Sequence, residues 1–134
     1  NIISAIHAGW KGAYKKIIYK TIDELKIKGS NVKDLIVVVG PCISKYNYEI
    51  KKDFLSKFIK QNKKNIRFFS FNKKKIFFSL NEYIRSQLKN IGVKNIEIIN
   101  KDTYLRKNNF FSSRRSLKNK YYDYGRNLSV IMIK

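Results

Sequence analysis

Short β-branched runs alternate with amphipathic segments along this chain, and this alternation restricts the folds that it can adopt. In the amphipathic segments apolar side chains recur every three or four residues, which predicts helices over residues 13–28, 50–61 and 81–91. The apolar runs predict strands over residues 1–6, 34–39, 66–71, 75–79, 93–99 and 128–133. Strands and helices in this order predict an α+β (α/β-like) domain, in which mixed β-sheets pack with helices.

Three details refine this prediction. Gly29 and Gly92 stand where the first and third helices should stop. The run at residues 34–39 is apolar throughout, which is typical of a strand buried on both faces. Residues 101–124 are predicted to be mostly loop.

Length and composition favour one cytoplasmic domain. The 134 residues are about one domain long, and 43% of them are hydrophobic, which is enough for a single core over residues 1–134. The single cysteine, Cys42, excludes an internal disulfide and argues against an oxidising compartment. The apolar stretches are far shorter than the roughly 20 residues of a membrane helix, and the start lacks the basic region of a signal peptide. Position 1 is not methionine, so we expect that sequence upstream is missing.

The net charge of +21 has two interpretations. Clustered Lys and Arg would bind the phosphates of nucleic acid, which makes a basic nucleic-acid-binding module the alternative function class. However, lysine outnumbers arginine 24 to 6, and Asn and Ile are frequent, as an AT-rich coding sequence would produce. The compositional interpretation is therefore favoured, although the charge should still attract small anions and non-specific nucleic acid.

The first candidate site is the turn His7-Ala8-Gly9-Trp10-Lys11-Gly12. An imidazole at the end of a predicted strand suits metal ligation or proton transfer, and Trp10 offers a stacking surface to a flat ligand. The alternative is a hydrogen-bonded structural histidine capped by a core tryptophan. One histidine cannot make a metal site by itself, so chemistry alone leaves the structural alternative favoured.

Two further loops are candidate sites: one follows the predicted strand at residues 34–39, and the other precedes the predicted strand at residues 128–133. In Gly40-Pro41-Cys42-Ile43, the thiol of Cys42 is either a nucleophile or ligand, or a small buried side chain beside a tight turn, which is the favoured interpretation. In Phe110-Phe111-Ser112-Ser113-Arg114-Arg115, followed by Gly125-Arg126, the arginines either clamp a phosphate or carboxylate or form a solvated basic face. For the arginines, both alternatives stay open.

Taken together, the order of these motifs resembles the YfiH or laccase-domain family, also called the multicopper polyphenol oxidase type. The family's motifs read HAGWRG, GPCIG with a Tyr-Glu pair, and FFSYRR with a later Gly-Arg, and the resemblance covers nearly the whole chain from His7. It implies a YfiH-like fold, of which this sequence is the C-terminal portion. It also implies a zinc site acting on purine nucleosides and phosphate, with phosphorylase and adenosine deaminase activity; an older attribution is a copper-dependent phenol oxidase.

By this resemblance His7 is a metal ligand and a catalytic residue. Trp10 would stack on the purine, and the arginines of the third motif, Arg114, Arg115 and Arg126, would hold the phosphate or ribose. The family's ligating cysteine and second histidine lie upstream of the first motif and are not in this sequence, so Cys42 is not the metal-binding cysteine. Asp102 stands where the family commonly has cysteine. These departures leave a fragment or a catalytically dead pseudoenzyme as a further alternative.

Overall fold

The computed structural model describes residues 2–133, which gather into two compact units. The first unit contains residues 2–40, 80–98 and 129–133, and the second contains residues 41–79 and 99–128. No helix within this described part of the chain is long and apolar enough to cross a bilayer.

The described residues form short helices and strands, separated by turns. The α-helices are α1 (Trp10–Tyr14), α2 (Ile17–Ile27), α3 (Lys52–Gln61), α4 (Leu80–Ile91) and α5 (Ser113–Lys118). The strands are β1 (Ile36–Val39), β2 (Glu49–Ile50), β3 (Phe69–Asn72), β4 (Lys75–Phe78) and β5 (Asn95–Ile98). Short 3-10 turns occupy Val32–Asp34, Lys63–Phe68 and Arg106–Asn108.

In the first unit α4 packs against a two-stranded sheet, and α1 and α2 pack against α4. Strands β1 and β5 are parallel, and Ile36 is paired with Asn95 and Val39 with Ile98. Its core is formed by aliphatic side chains and one tyrosine: Ala13, Ile18, Ile22, Tyr83, Ile84, Leu88 and Val93. Both predicted glycine stops are confirmed, because Gly29 and Gly92 have φ of +93° and +102° and reverse the chain after α2 and α4.

The second unit is built on aromatic packing. Strands β2, β4 and β3 form an antiparallel sheet in that order. Helix α3 adds two phenylalanines to the sheet: Phe58 is fully buried, and Phe54 lies 5.2 Å from the ring of Phe78, centroid to centroid. Phe58 and Phe78 are themselves 4.9 Å apart. Rings of this size dominate the energy of a small core.

The predicted mixture of sheets and helices is confirmed, but the first helix is divided. Residues 13–28 were predicted as one helix, whereas α1 already begins at Trp10 and α2 begins at Ile17. Lys16 separates them in the left-handed conformation, with φ of 62° and ψ of 37°. Hydrophobic spacing continues across this break, so periodicity alone did not reveal it.

The strands predicted at the two ends are wrong for the residues that the structure describes. Residues 2–9 and 121–133 contain no regular element, and residue 1 lies outside the described part. A strand needs a second strand to satisfy its backbone groups, and no described segment supplies one there. The prediction that the run at residues 34–39 is buried on both faces is also wrong, since Ile36 is 80% exposed and Val38 is 51% exposed.

The remaining elements match their predictions within a few residues. Helix α3 starts two residues later than predicted, because Ile50 belongs to β2. Helix α4 and the hairpin of β3 and β4 are confirmed, and β5 is shorter than the predicted strand at 93–99. The segment from 101 to 124 is mostly loop as predicted, but it includes α5.

Candidate functional site

Two glycines, Gly9 and Gly12, determine the shape of the His7 turn. A Cβ atom at Gly9 would lie 3.0 Å from Nε2 of His7, so the absence of a side chain there gives the exposed imidazole its room. A Cβ atom at Gly12 would lie 3.5 Å from the carbonyl oxygen of His7 and 3.4 Å from Cγ2 of Ile17. The first glycine therefore accommodates the ring, and the second lets α1 approach the backbone of His7.

Helix α1 anchors this turn in the first unit. Ala13 is completely buried, and its amide donates to the carbonyl of Gly9 at 2.9 Å. The amide group of Gln87 on α4 then donates to the carbonyl of Ala13 at 2.9 Å. Trp10 is half-buried, with Nζ of Lys11 5.7 Å from its ring centroid. Gln87 was not among the residues singled out from the sequence, because a polar residue on a helix gives no local signal of a distant partner.

In the second unit, Cys42 joins two loops through its backbone. It forms an isolated parallel bridge with Asp102, and the amide of Thr103 donates to its carbonyl at 3.1 Å. Its half-buried thiol contacts the carbonyl of Ile43 at 3.5 Å. The thiol is thus half-buried rather than buried, and its role as a small side chain beside the turn stays a prediction.

Asp102 is the polar centre of this joint. Its Oδ2 accepts from the hydroxyl of Ser44 at 2.5 Å and from the amide of Asn47 at 2.7 Å, and its Oδ1 accepts from the backbone amide of Tyr104 at 2.8 Å. Burial raises the pKa of this carboxyl, but the hydrogen bonds from Ser44, Asn47 and Tyr104 outweigh it and leave the pKa below its ordinary value. The carboxylate is therefore the form that the fold requires.

Arg114 lies against the buried ring of Tyr48. Its guanidinium carbon is 5.2 Å from the ring centroid, and its Nη1 donates to the carbonyl of Glu49 at 2.6 Å. Burial raises the pKa of Tyr48 to about 12; Arg114 opposes this shift and Cys42 adds to it. The phenol therefore stays protonated throughout the neutral range.

Arg115 is held by backbone carbonyls. Its Nη1 donates to Thr103 at 3.1 Å and Tyr104 at 2.8 Å, and its Nη2 donates to Phe110 at 2.5 Å. The hydroxyl of Ser112 accepts from the amide of Arg115 at 3.3 Å and so caps α5. These contacts make Arg115 a positioning residue that connects the third motif to the Asp102 joint; direct contact with substrate stays a prediction.

The two parts of the third motif, residues 110–115 and the later Gly125-Arg126, also contact each other. A Cβ atom at Gly125 would overlap the ring of Phe111, so only glycine fits there. Asn127 donates to the carbonyl of Phe111 and accepts from its amide, both at 2.9 Å. Arg126 lies 4.1 Å from the ring centroid of Tyr124, and it donates to the carbonyl of Tyr124 and to the carboxylate of Asp123.

The structure thus brings together two of the three predicted loops. The second and third meet in the second unit, through the segment from Asp102 to Tyr104. His7 belongs to the first unit, so its convergence with them stays a prediction. Asp102 and Asn127 hold these loops through hydrogen bonds that the sequence did not predict. The one signal in the sequence was that Asp102 stands where the family commonly has cysteine.

A zinc or copper ion does not fit the residues described here by themselves. Nowhere in residues 2–133 do three His, Cys, Asp or Glu side chains come close enough together to hold a metal ion. A tetrahedral zinc site needs at least three protein ligands, and His7 supplies one imidazole. Any metal held by His7 would need ligands from outside these residues.

Solved structures with the same architecture define the class of fold. The YfiH hypothetical protein of Bacillus licheniformis superposes with a TM-score of 0.73 at 29% identity, over 83% of this chain and 43% of that one. A DUF152-type protein of Neisseria meningitidis superposes with a TM-score of 0.71 at 26% identity, over 81% of this chain and 44% of that one. The chain therefore has the YfiH-type α+β fold.

Sequence comparison then gives the family. The profile of the family described as multi-copper polyphenol oxidoreductase laccase matches residues 1–134, and the chain belongs to this family. It is 34% identical to a purine nucleoside phosphorylase of Rickettsia prowazekii, over 99% of this chain and 55% of that protein. It is 37% identical to one of Rickettsia conorii, over 86% of this chain and 48% of that protein. The chain thus spans about half the length of these curated relatives.

Proposed function

We propose that this chain takes part in the phosphorolysis of purine nucleosides in the cytoplasm. In this reaction a phosphate oxygen forms a bond to C1′ of the ribose while the bond from C1′ to the purine nitrogen breaks, which gives the free base and ribose 1-phosphate. The observation that carries the proposal is the similarity to the Rickettsia prowazekii phosphorylase over 99% of the chain, which includes the His7 turn. Adenosine, inosine and methylthioadenosine are the proposed substrates, with deamination of adenosine as a second reaction.

Within this proposal His7 is the reactive residue of the chain. Its exposed ring, fitted against Gly9, is accessible to a ligand and able to transfer a proton or to supply one ligand of a zinc ion. Trp10, which is only half-buried, is proposed to stack on the purine. Because the residues described here do not complete a metal site, no step of the reaction is assigned to a metal.

The arginines of the third motif differ in what they can do for a phosphate. Arg115 already donates to three carbonyls, whereas Arg114 donates to the carbonyl of Glu49 and stacks on Tyr48. A guanidinium that keeps several N–H groups for a ligand suits an oxyanion. Arg114 is therefore the preferred phosphate contact, Arg115 positions its loop, and Arg126 contributes charge near Tyr124.

The test uses a chimera in which this chain replaces the matched part of the Rickettsia prowazekii relative. Incubation with phosphate and adenosine or inosine should release the purine base and ribose 1-phosphate, and incubation with methylthioadenosine should release adenine and 5-methylthioribose 1-phosphate, all measured by liquid chromatography. His7→Ala should lower the rate at least about a hundredfold, as removal of a proton-transfer residue does. Cys42→Ala, which changes the other candidate residue, should keep most of the activity.

The outcomes separate the proposal from its alternatives. A folded chimera without turnover, beside an active relative, would mean that this chain is a pseudoenzyme. Turnover that survives His7→Ala would mean that the site has been assigned to the wrong loop.

A further inference from the structure

Helix α1, which follows directly from the His7 turn, depends on other elements for its position. It has five residues, and its N-cap, Gly9, offers no side-chain hydrogen bond to the first turn. The helix ends two residues before Lys16, which has the left-handed conformation. A helix this short is marginal in water by itself, because its stability comes from tertiary packing. The location of α1, and of the turn before it, is therefore determined by what the helix contacts.

A series of contacts leads from α4 through α1 to the imidazole. Nε2 of Gln87 donates to the carbonyl oxygen of Ala13 at 2.9 Å, and Ala13 is completely buried. The backbone amide of Ala13 donates to the carbonyl oxygen of Gly9, also at 2.9 Å. At Gly9 a Cβ atom would lie 3.0 Å from Nε2 of His7. A shift of Ala13 is therefore passed on to the residue against which the imidazole fits.

The hydrogen bond from Gln87 is not needed to satisfy the backbone of Ala13. The carbonyl oxygen of Ala13 also accepts from the backbone amide of Lys16, at 3.1 Å. A carbonyl oxygen has two lone pairs, and one accepted hydrogen bond already keeps it from being buried unpaired. The side chain of Gln87 thus adds a second restraint on the position of α1.

A glutamine at this buried position also has an unfavourable contribution. Gln87 is 6% exposed, and its Oε1 has no hydrogen-bond partner anywhere in residues 2–133. A buried acceptor without a partner destabilises a fold, and an apolar side chain of similar size would avoid it. The amide has one further contact on its own helix: burial raises the pKa of Tyr83, and a hydrogen bond from Gln87 lowers it. What an apolar residue could not supply is the donor to Ala13.

We propose that Gln87 is a positioning residue for the His7 turn, because its hydrogen bond to Ala13 fixes α1 and thereby the imidazole of His7 and the indole of Trp10. Groups that react with or stack on a substrate must be placed closely, and a misplacement of about 1 Å can lower a rate about a hundredfold. The effect of Gln87 on turnover rests on the proposed function, whereas its effect on the geometry of the turn does not.

The experiment uses Gln87→Met, which removes the donor and the unpaired oxygen with little change in volume or helix propensity. The turn contains two natural reporters, because His7 is the single histidine of the chain and Trp10 its single tryptophan. In Gln87→Met we expect the ring resonances of His7 to shift and the fluorescence of Trp10 to become more readily quenched by acrylamide. In the chimera with the Rickettsia prowazekii relative, kcat for inosine should fall at least about tenfold.

Leu88 provides the matched control. It is the next residue on α4, it is 2% exposed, and its side chain has no hydrogen-bonding group. Leu88→Met introduces the same side chain into the same core and leaves the donor to Ala13 in place, so both reporters and the activity of the chimera should be retained. The midpoint of urea unfolding should be no lower for Gln87→Met than for Leu88→Met, because the lost hydrogen bonds are offset by removal of the unpaired oxygen.

Four results would overturn the inference. Unchanged signals of His7 and Trp10 in Gln87→Met would show that the turn keeps its geometry without the amide. Equal changes in the two variants would assign the effect to core packing, and a lower unfolding midpoint for Gln87→Met than for Leu88→Met would assign the glutamine to stability. A Gln87→Met chimera with full activity would show that the position of the turn does not depend on it. If every chimera lacks turnover, the proposed function fails, and the two reporters still decide this inference.

Discussion

At the scale of single residues, the position of His7 depends on Gly9. Gly9→Ala would place a methyl group 3.0 Å from Nε2 of His7, which is closer than such contacts normally are. The ring is exposed and can move aside, so we expect a displaced imidazole with little loss of stability, below about 0.5 kcal/mol. His7 is the single histidine of the chain, so its ring resonances in a heteronuclear NMR spectrum report the change directly.

Gly40→Ala is the control for this experiment. A Cβ atom at Gly40 would meet nothing within 4 Å, so the imidazole resonances should keep their positions. Unchanged resonances in Gly9→Ala would show that the imidazole does not lie over Gly9.

The carboxylate of Asp102 is expected to contribute more to stability than any exposed acid. Asp102→Asn replaces an acceptor with a donor that faces the donors of Ser44 and Asn47, and should cost about 2 kcal/mol at pH 7. The folded pKa of Asp102 is lowered, so its contribution is fully present above the unfolded pKa of about 4 and is lost as the pH falls through the folded value. The difference between the two proteins should therefore shrink below pH 4.

Urea unfolding at pH 7 and pH 3 measures this difference, with Asp23→Asn as the comparison. Asp23 forms an exposed ion pair with Lys26 at 2.9 Å, which is worth less than about 0.5 kcal/mol. A cost for Asp102→Asn as small as that for Asp23→Asn would contradict the proposed role of the joint.

At the scale of secondary-structure elements, the junction of α1 and α2 contains strain that can be relieved. Lys16 has φ of 62°, a conformation that is unfavourable for residues with a Cβ atom and free for glycine. Lys16→Gly should therefore stabilise the chain by about 0.5–1 kcal/mol. Lys20→Gly, inside α2, should instead destabilise it by about 1 kcal/mol. The midpoints of urea unfolding should move in opposite directions, and a loss of stability in both would mean that Lys16 is helical in solution.

The elements that were predicted from the sequence are those defined by their own residues. Helix α4 and the hairpin of β3 and β4 follow from periodicity and turn residues, and Gly92 marks the end of α4. The break at Lys16 was missed because lysine gives no signal for a left-handed conformation. The terminal strands and the burial of β1 were mispredicted because strand pairing depends on another segment, which local sequence does not identify.

In the candidate site, too, local motifs were predicted from the sequence and long-range contacts were not. Motif order pointed to the loops of Cys42 and Arg115, and the structure joins them in the second unit. Asp102, which makes the joint, and Asn127, which holds the third motif together, have partners 58 and 16 positions away along the chain. Such hydrogen bonds follow from the tertiary fold, so the local pattern around these residues could not predict them.

At the scale of the whole molecule, the lysines are distributed along the chain rather than concentrated in one element. Lysines occur on α1, α2, α3, α4 and α5 and in both units, which is the distribution expected from biased composition. Binding to nucleic acid should therefore be weak and independent of sequence. With about four phosphate contacts, affinity should fall roughly a hundredfold between 50 and 200 mM salt. Fluorescence anisotropy with two unrelated DNA duplexes checks this; a sequence preference that persists at physiological salt would instead favour a dedicated nucleic-acid-binding function.

Metal content is the property that depends most on how much of a family domain is present. His7 offers one imidazole, and the described residues hold no cluster of three possible ligands, so the 134-residue chain should be recovered with well under one zinc per molecule. The chimera with the Rickettsia prowazekii relative should hold about one zinc if the added part carries the missing cysteine and histidine. There His7→Ala should remove the zinc, whereas Cys42→Ala should leave it in place, because Cys42 is engaged in the backbone joint with Asp102. Elemental analysis of these four proteins and of Cys42→Ala in the short chain decides the matter: tight zinc in the short chain that disappears in its Cys42→Ala variant would move the metal site from His7 to the second loop.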